Sequence, residues 1–176
     1  ITELRNSLTS TCGDYDNDGD LDIFVVNTSM SFNQLFENDG TASFTLAEAG
    51  DLTEYSGYSH STSWVDVNND GHLDVFVADF HPTRYNTLYL NNGNKSFLRI
   101  EENTLTQDVF SSRGAVWADY DNDGDQDVYV PNTNGVNFFY KNEGNARFSR
   151  VEGGPELGPN VNSSGACWGD YAVSYT

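Results

Sequence analysis

The stretch DYDNDGDLD occupies residues 14–22, and the same pattern returns as DVNNDGHLD at 66–74 and as DYDNDGDQD at 119–127. We call these segments loop 1, loop 2 and loop 3, and we number the positions in each from 1 to 9. The copies start at residues 14, 66 and 119, so the repeat is about 50 residues long. A period of this length is typical of proteins that stack one small unit several times.

A second pattern follows each loop at a constant distance. It reads NQLFENDG at 33–40, NTLYLNNG at 86–93 and NFFYKNEG at 137–144, and a Phe stands four residues after each copy. The closing Gly marks a tight turn between two strands. Two patterns that keep their order and spacing three times indicate a true internal repeat.

The segments between these patterns favour short strands. STSWV at 61–65 alternates small and bulky residues, LDVFVA at 73–78 is rich in β-branched and aromatic residues, and no segment has a helical period. His81 and Pro82 are predicted to lie in a loop. Four short strands per repeat are typical of a β-propeller blade.

The sequence therefore predicts an all-β fold, a partial β-propeller with three four-stranded blades. The blades are expected at residues 8–50, 58–103 and 111–153 of a single domain, and residues 163–173 are expected to begin a fourth. A fourth copy of the loop starts at Gly169-Asp170-Tyr171 but then departs from the pattern. A β-sandwich that happens to repeat is the alternative.

The loops have the composition of a metal site. Oxygen-bearing side chains at positions 1, 3, 5 and 9 converge if the chain coils tightly at position 6, which is Gly19, Gly71 or Gly124, and Gly tolerates the positive φ of such a coil. An oxygen cage of this kind favours Ca²⁺, and about three ions are expected, one in each complete repeat. The candidate ligands are Asp14, Asp16, Asp18, Asp20 and Asp22 in loop 1, Asp66, Asn68, Asp70, His72 and Asp74 in loop 2, and Asp119, Asp121, Asp123, Asp125 and Asp127 in loop 3, with Asp20, His72 and Asp125 acting through their backbone carbonyls.

Electrostatics supports a bound cation over a solvated acidic turn. Loops 1 and 3 each hold five Asp in nine residues, and unit charges of like sign 4 Å apart repel by about 1 kcal/mol even in water. Loop 2 is expected to bind most weakly, because Asn68 and His72 replace Asp there. A transition-metal role for the His72 ring is the alternative. An EF-hand is excluded because position 12 is Val25, Val77 or Val130 instead of the required Glu, and this absence predicts modest affinity, about 10⁻⁴–10⁻³ M.

The pattern WADYDNDGDQD at 117–127 resembles the FG-GAP/VCBS-type repeats of bacterial secreted proteins and integrin α-subunits. It recurs at 64–74 with Asn68 substituted, and in the first copy Cys12 replaces the Trp. The resemblance implies a propeller of six to eight blades, with Ca²⁺ in the hairpin that joins the first two strands of each blade. It also implies an extracellular or cell-surface location, with the periplasm as an alternative.

The number of blades departs from that family. Three blades do not close a ring, so the chain is expected either to be part of a larger propeller or to self-associate, since open blade faces would expose apolar patches. Cys12 and Cys167 begin equivalent strands. They are read as buried small residues, with an intermolecular disulfide as the alternative.

The charge and the missing motifs narrow the function. With 27 acidic against eight basic residues, the net charge is −19, which argues against nucleic acid and anionic membranes as partners. No nucleophile or phosphate-binding motif is present, so a non-enzymatic module that binds protein or glycan is expected. A lectin using Tyr55, Tyr58, Tyr85 and Phe110 and a remnant of a polysaccharide lyase are the alternatives. His60 and His81 are minor candidates for ligand contacts.

Overall fold

The computed structural model describes residues 5–133, 135–153 and 162–169. In these ranges the chain is almost entirely strand and loop. The helical residues form two single turns, α1 (Asp51–Glu54) and a 3₁₀ turn (Thr104–Thr106), which are too short to give the periodic pattern that predicts a helix from sequence. None of the described helices is long and apolar enough to cross a membrane.

The described residues form sixteen strands. In chain order they are β1 (Ser7–Gly13), β2 (Asp22–Asn27), β3 (Ser31–Phe32), β4 (Gln34–Asn38), β5 (Phe44–Ala47), β6 (Ser56–Gly57), β7 (Ser59–Val65), β8 (Asp74–Tyr85), β9 (Thr87–Asn91), β10 (Phe97–Ile100), β11 (Val109–Ser112), β12 (Val116–Ala118), β13 (Asp127–Val130), β14 (Asn132–Thr133), β15 (Phe138–Asn142) and β16 (Phe148–Arg150). The prediction of a loop at His81 and Pro82 was wrong, because β8 runs through both residues. Pairing of its far end with β11 extends this strand.

Twelve of the strands form three antiparallel meanders of four strands each. We call them module 1 (β1-β2-β4-β5), module 2 (β7-β8-β9-β10) and module 3 (β12-β13-β15-β16). The register repeats from one module to the next: Cys12 pairs with Ile23, Trp64 with Val75 and Trp117 with Val128. Loops 1, 2 and 3 each connect the first two strands of a module.

Short strands join neighbouring modules at the end opposite the loops. β3 pairs with β6 to form a separate two-stranded sheet. β11 pairs with β8 on one side and with β14 on the other, so module 2 belongs to a larger sheet. The described strands therefore make four sheets, none of which closes on itself.

The modules stack face to face over two hydrophobic clusters. Phe24, Val26 and Leu35 of module 1 meet Val75 and other residues of module 2 in one cluster. The second cluster fills the space between modules 2 and 3. Because module 2 is covered on both faces, β8 is buried continuously from Asp74 to Asp79, whereas buried and half-buried residues alternate at the start of β2.

A tryptophan from the first strand of each following repeat seals these junctions. Trp64 packs on Phe24 and Trp117 packs on Phe76, with ring centroids 6.0 and 5.8 Å apart. Trp168 occupies the equivalent sequence position after module 3, where it packs on Phe139 at 5.8 Å. Within the part of the fourth copy that the structure describes, residues 162–169 form no strand, and residues 170–173 lie outside the described residues.

Candidate metal-binding loops

The three loops share one backbone path. Position 6 is a glycine with positive φ in each loop, as its choice predicts: 97° at Gly19, 85° at Gly71 and 95° at Gly124. Position 4 is also left-handed, and this was missed in the sequence analysis: φ is 59° at Asn17, 58° at Asn69 and 61° at Asn122. Asn is among the side chains that best tolerate this conformation, so its recurrence at position 4 was a usable signal.

The carboxylate at position 1 holds the coil closed. In loop 1 the two oxygens of Asp14 accept hydrogen bonds from the amides of Asp18 and Gly19, both at 3.0 Å. Asp66 and Asp119 make the same pair of bonds, at 2.9–3.1 Å. The loops therefore wrap around their first aspartate.

This coil brings the predicted ligands together in loops 1 and 3. Oxygen atoms of Asp14, Asp16 and Asp18 all lie within 4.8 Å of one another, and so do oxygen atoms of Asp119, Asp121 and Asp127. Such groups offer oxygen donors alone, which suit a hard divalent cation such as Ca²⁺ better than zinc or copper.

Loop 2 is arranged differently at position 3. The amide nitrogen of Asn68 donates to the Asp70 carboxylate at 2.9 Å, while its oxygen accepts from the Asp70 backbone amide at 3.1 Å. Asn68 thus compensates part of the charge of Asp70. It retains an oxygen that could serve as a ligand.

The side chains at position 7 contact the preceding loop or a turn of their own module. The Asn17 amide donates to His72 Nδ1 at 2.9 Å, and the Asn69 amide donates to Asp125 Oδ1 at 2.7 Å. Asp20 lies against Gly40, where a Cβ would come within 2.4 Å of Oδ2. The side chains at position 7 are thus directed toward a neighbouring loop or turn.

The carboxylate at position 9 is fully buried beneath each loop. Asp74 accepts from the backbone amides of Val67 at 3.0 Å and Asn91 at 2.8 Å, and Asp22 and Asp127 make the equivalent bonds at 2.8–3.2 Å. Burial raises the pKa of all three carboxyls, that of Asp74 to about 7, although the two amide bonds oppose the shift. Position 9 therefore ties the loop to the next hairpin.

The asparagine that precedes the tight turn links neighbouring modules. The Asn91 side chain donates to the backbone oxygen of Tyr15 at 2.7 Å, and the Asn142 side chain donates to that of Val67 at 2.8 Å. Both acceptors stand at position 2 of the preceding loop. The second sequence pattern therefore serves the junctions between modules as well as the turns.

Two lysines reach the acidic loops. Lys95 Nζ lies 2.7 Å from Asp16 and 2.8 Å from Glu37, and Lys141 Nζ pairs with Asp121 and lies 3.0 Å from Asp123. The carboxylates beside them raise the pKa of both lysines. The amide of Asp125 and the Lys141 ammonium lower the pKa of Asp123.

A family model for the FG-GAP-like repeat matches three overlapping segments, at residues 14–77, 66–130 and 119–172. The chain belongs to the FG-GAP-like repeat family. Each match begins at position 1 of a loop, so the resemblance drawn from the sequence is confirmed. Comparison with curated proteins gives no match.

The fold of these FG-GAP-like repeats is similar to a solved structure. It belongs to a lectin from Agrocybe aegerita that specifically recognises non-reducing terminal N-acetylglucosamine, and it matches with a TM-score of 0.59 and 20% identity. The match covers 85% of this chain and 38% of the lectin, so this chain spans well under half of the lectin's length. At this identity the likeness concerns the fold alone.

The aromatic residues suggested for glycan contact differ in their exposure and in the residues that they pack against. Tyr58 stacks on His81 at 4.6 Å, and Tyr85 is half exposed. Tyr55 is covered by Arg99, and Phe110 packs on Phe138 in the core between modules 2 and 3. Tyr58 and Tyr85 are therefore the better candidates for a surface contact.

The remaining candidate residues lie away from the loops' oxygen clusters. Cys12 and Cys167 are both free thiols and both exposed, so the expectation that they are buried was wrong. The strand position of Cys12 corresponds to that of Trp64, but no described module precedes module 1 to cover it. His60 contacts Arg113, whose guanidinium lies 3.2 Å from its Nε2.

Proposed function

We propose that this chain is a calcium-stabilised segment of a β-propeller and acts as a non-enzymatic extracellular module that binds a protein or glycan partner. The observation that carries the proposal is the common coil of the three loops, which gathers carboxylate oxygens within 4.8 Å in loops 1 and 3. Nothing in the family match or in the lectin likeness points to catalysis.

The packing of the modules supports a propeller. Successive four-stranded sheets lie face to face, and β1 lies next to β7, so the first strands of modules 1 and 2 are neighbours. In a propeller the first strand of each blade lines the central axis. The modules would then be blades, with their acidic loops at one end of the ring.

The bound ions would stabilise the hairpins that hold them. Positions 1, 3, 5 and 9 would supply side-chain oxygens and position 7 a backbone oxygen. Position 9 also anchors the loop from below, and in loop 3 an oxygen of Asp127 lies within 4.8 Å of oxygens of Asp119 and Asp121. A divalent cation supplies the positive charge that removes the repulsion among the carboxylates of each loop. Since an ion that binds only the folded state stabilises it, the role is structural.

Thermal unfolding with and without calcium tests this proposal. Melting of the protein in millimolar Ca²⁺ should occur several degrees above melting in EDTA, and the increase should grow with Ca²⁺ concentration. Mg²⁺ at the same concentration should give a smaller increase, because it demands a tighter octahedral site. Equal melting temperatures in Ca²⁺ and EDTA would refute the calcium role.

The open face of module 1 supports association with a further blade, either of a longer chain or of a second copy. Phe44 is 43% exposed although its equivalents Phe97 and Phe148 are buried, and Leu46 is 60% exposed. Light scattering on the 176-residue chain distinguishes the two sources. A concentration-dependent oligomer supports a second copy, whereas a strict monomer supports a longer parent protein.

Glycan binding is the more specific candidate for the partner. It is favoured by the fold shared with a lectin and by two aromatic features, the Tyr58–His81 stack and the half-exposed Tyr85, since aromatic faces suit the apolar faces of sugar rings. A glycan array probed in Ca²⁺ and in EDTA tests it. Binding that requires Ca²⁺ supports a lectin, and an empty array together with capture of a protein ligand supports protein recognition.

A further inference from the structure

The lysines near the acidic loops stand at specific positions of the repeat. Lys141 precedes Asn142 at the end of β15, and the equivalent residues by strand register are Glu37 in module 1 and Leu90 in module 2. This position is therefore basic in one module, acidic in another and apolar in the third.

The second lysine approaches from the neighbouring module. Lys95 lies in the turn between β9 and β10 and reaches back to Asp16 in loop 1. Its equivalent in module 3 is Ala146, which stands two residues before Phe148 as Lys95 stands two before Phe97. Loop 2 therefore has an apolar residue at both lysine positions, Leu90 in its own module and Ala146 in the next.

Among the described residues, a lysine contacts a loop only where position 3 of that loop is Asp. Where position 3 is Asp16 or Asp121, an ammonium pairs with its carboxylate. Where position 3 is Asn68, its own amide donates to the position 5 carboxylate instead. In each loop a side-chain donor offsets part of the negative charge of the carboxylate at position 3 or 5. The donor is a lysine ammonium in loops 1 and 3 and the uncharged Asn68 amide in loop 2.

We infer that Lys95 and Lys141 are resident counter-cations that hold loops 1 and 3 together without metal and compete with Ca²⁺ for the carboxylate at position 3. The inference rests on the proposed calcium role. An ammonium and a Ca²⁺ ion beside the same carboxylate repel each other, so each lysine must weaken its contact as the ion binds. The free energy of that contact is subtracted from the free energy of calcium binding to the loop.

The competition changes the expected order of affinity. From ligand charge alone, loop 2 should bind Ca²⁺ most weakly. With the lysines included, loops 1 and 3 lose affinity for Ca²⁺ and loop 2 does not, so the affinities of the three loops become more similar. Loop 3 is affected most, because Lys141 engages the carboxylates at both position 3 and position 5.

Lysine-to-methionine variants test the inference, since methionine keeps the length of the stem and removes the charge. Calcium titration by calorimetry should show about tenfold tighter binding at one site in Lys141→Met and a smaller gain in Lys95→Met. In EDTA the same variants should melt a few degrees below the parent, because the carboxylates lose their counter-ion. Arg5→Met is the control: it removes the same charge, but Arg5 bonds the Phe32 carbonyl beyond the opposite end of β2, and its calcium affinity should equal that of the parent.

The outcomes separate the inference from the calcium proposal. Opposite changes in the two measurements, tighter calcium binding with lower stability in EDTA, identify a competing counter-cation. Lower stability with unchanged affinity in both variants would mean a purely structural ion pair and would overturn the inference alone. A parent protein that binds no Ca²⁺ up to 10 millimolar, roughly ten times the weakest affinity expected for such modules, would overturn the calcium proposal and the inference together.

Discussion

Within each acidic loop, carboxylates occupy two different surroundings, which we call the rim and the base. The rim, at positions 1, 3 and 5, includes residues that are exposed or half-buried, such as Asp14 and Asp18, although the side chain of Asp16 beneath Lys95 is only 2% exposed. The base, at position 9, carries Asp22, Asp74 or Asp127, all fully buried and each bonded to two backbone amides. The rim carboxylates also accept backbone amides, as Asp14 does from Asp18 and Gly19, so rim and base differ in burial and not in having partners.

This difference would separate folding from the proposed ion binding within nine residues. The base carboxylate joins the loop to the hairpin of β9 or its equivalents whether or not an ion is present. The rim carboxylates repel one another and need a cation to neutralise them. We therefore expect base variants to destabilise the protein under all conditions and variants of the exposed carboxylate at position 5 to act mainly when calcium is present.

Removal of a base carboxylate should have the largest effect. Asp74→Ala leaves the buried amides of Val67 and Asn91 without acceptors, and each such loss costs about 1–3 kcal/mol, so a total of about 3 kcal/mol is expected. Urea unfolding in EDTA and in Ca²⁺ should show this loss in both. Asp74→Asn, which keeps one acceptor oxygen, is the control and should lose less. Destabilisation confined to the Ca²⁺ condition would show that the base belongs with the rim.

The base should also make the calcium-free protein sensitive to pH. Burial raises the pKa of Asp74 from 3.8 to about 7, and it raises those of Asp22 and Asp127 as well. The folded state therefore binds these protons more tightly than the unfolded chain. The contribution of Asp74 to stability is complete below pH 3.8 and is lost as pH rises through about 7, and Asp22 and Asp127 act in the same direction.

Melting in EDTA between pH 4.5 and 8 measures this effect. The melting temperature should fall across the range in the parent protein and fall less in Asp74→Asn, which cannot titrate at that position. A melting temperature that rises steadily with pH in EDTA would contradict the assignment of the base carboxyls as groups held in an unfavourable charged state.

A rim substitution should have an intermediate effect that depends on calcium. Asp18→Ala removes a predicted ligand and leaves the buried base intact. In EDTA its melting temperature should stay close to that of the parent, while the increase caused by Ca²⁺ should shrink by about 2–4 °C, the shift expected for about 1 kcal/mol in a chain of this size. An equal loss in EDTA would mean that rim and base both act in folding.

The smallest effect is expected for a contact between neighbouring loops. The Asn69 amide in loop 2 donates to Asp125 at 2.7 Å and, more weakly, to the Gly124 carbonyl at 3.4 Å in loop 3, and Asn69→Gly removes both bonds but preserves the left-handed backbone. Exposed hydrogen bonds lie at the low end of the range of about 0.5–1.5 kcal/mol, so stability should fall by less than about 1 kcal/mol. Asn122→Gly makes the same change in loop 3, and the two variants can be compared directly by urea unfolding.

Much of the fold follows from the sequence because the repeat is local and regular. The spacing of the two patterns predicted the strands, and the positive φ of Gly19 and its equivalents follows from the choice of Gly. The extra strands β11 and β14 were missed because they depend on pairing between modules. The burial of β8 on both faces likewise depends on the neighbours of module 2, which a single repeat does not reveal.

The site was less predictable than the fold. The residue type at position 9 predicts a ligand but does not show that Asp74 is buried while Asp70 is exposed, and in loop 3 Asp127 lies in the same oxygen group as Asp119 and Asp121. The bond from Asn91 to Tyr15 joins residues 76 apart in the chain, and Lys95 reaches Glu37 across 58. Contacts at such separations leave no local pattern, although the recurrence of Asn91 as Asn142 was a signal that the asparagine has a fixed task.

The tryptophans can serve as intrinsic fluorescence probes of the junctions between modules. Trp64 and Trp117 are half-buried against the hydrophobic clusters at successive junctions, while Trp168, at 41% exposure, lies on the outer face of module 3. Variants that retain one tryptophan, with Phe at the other two positions, would emit at shorter wavelength for the half-buried rings and at longer wavelength for Trp168. Fluorescence followed during unfolding would then report which junction opens first, one junction at a time.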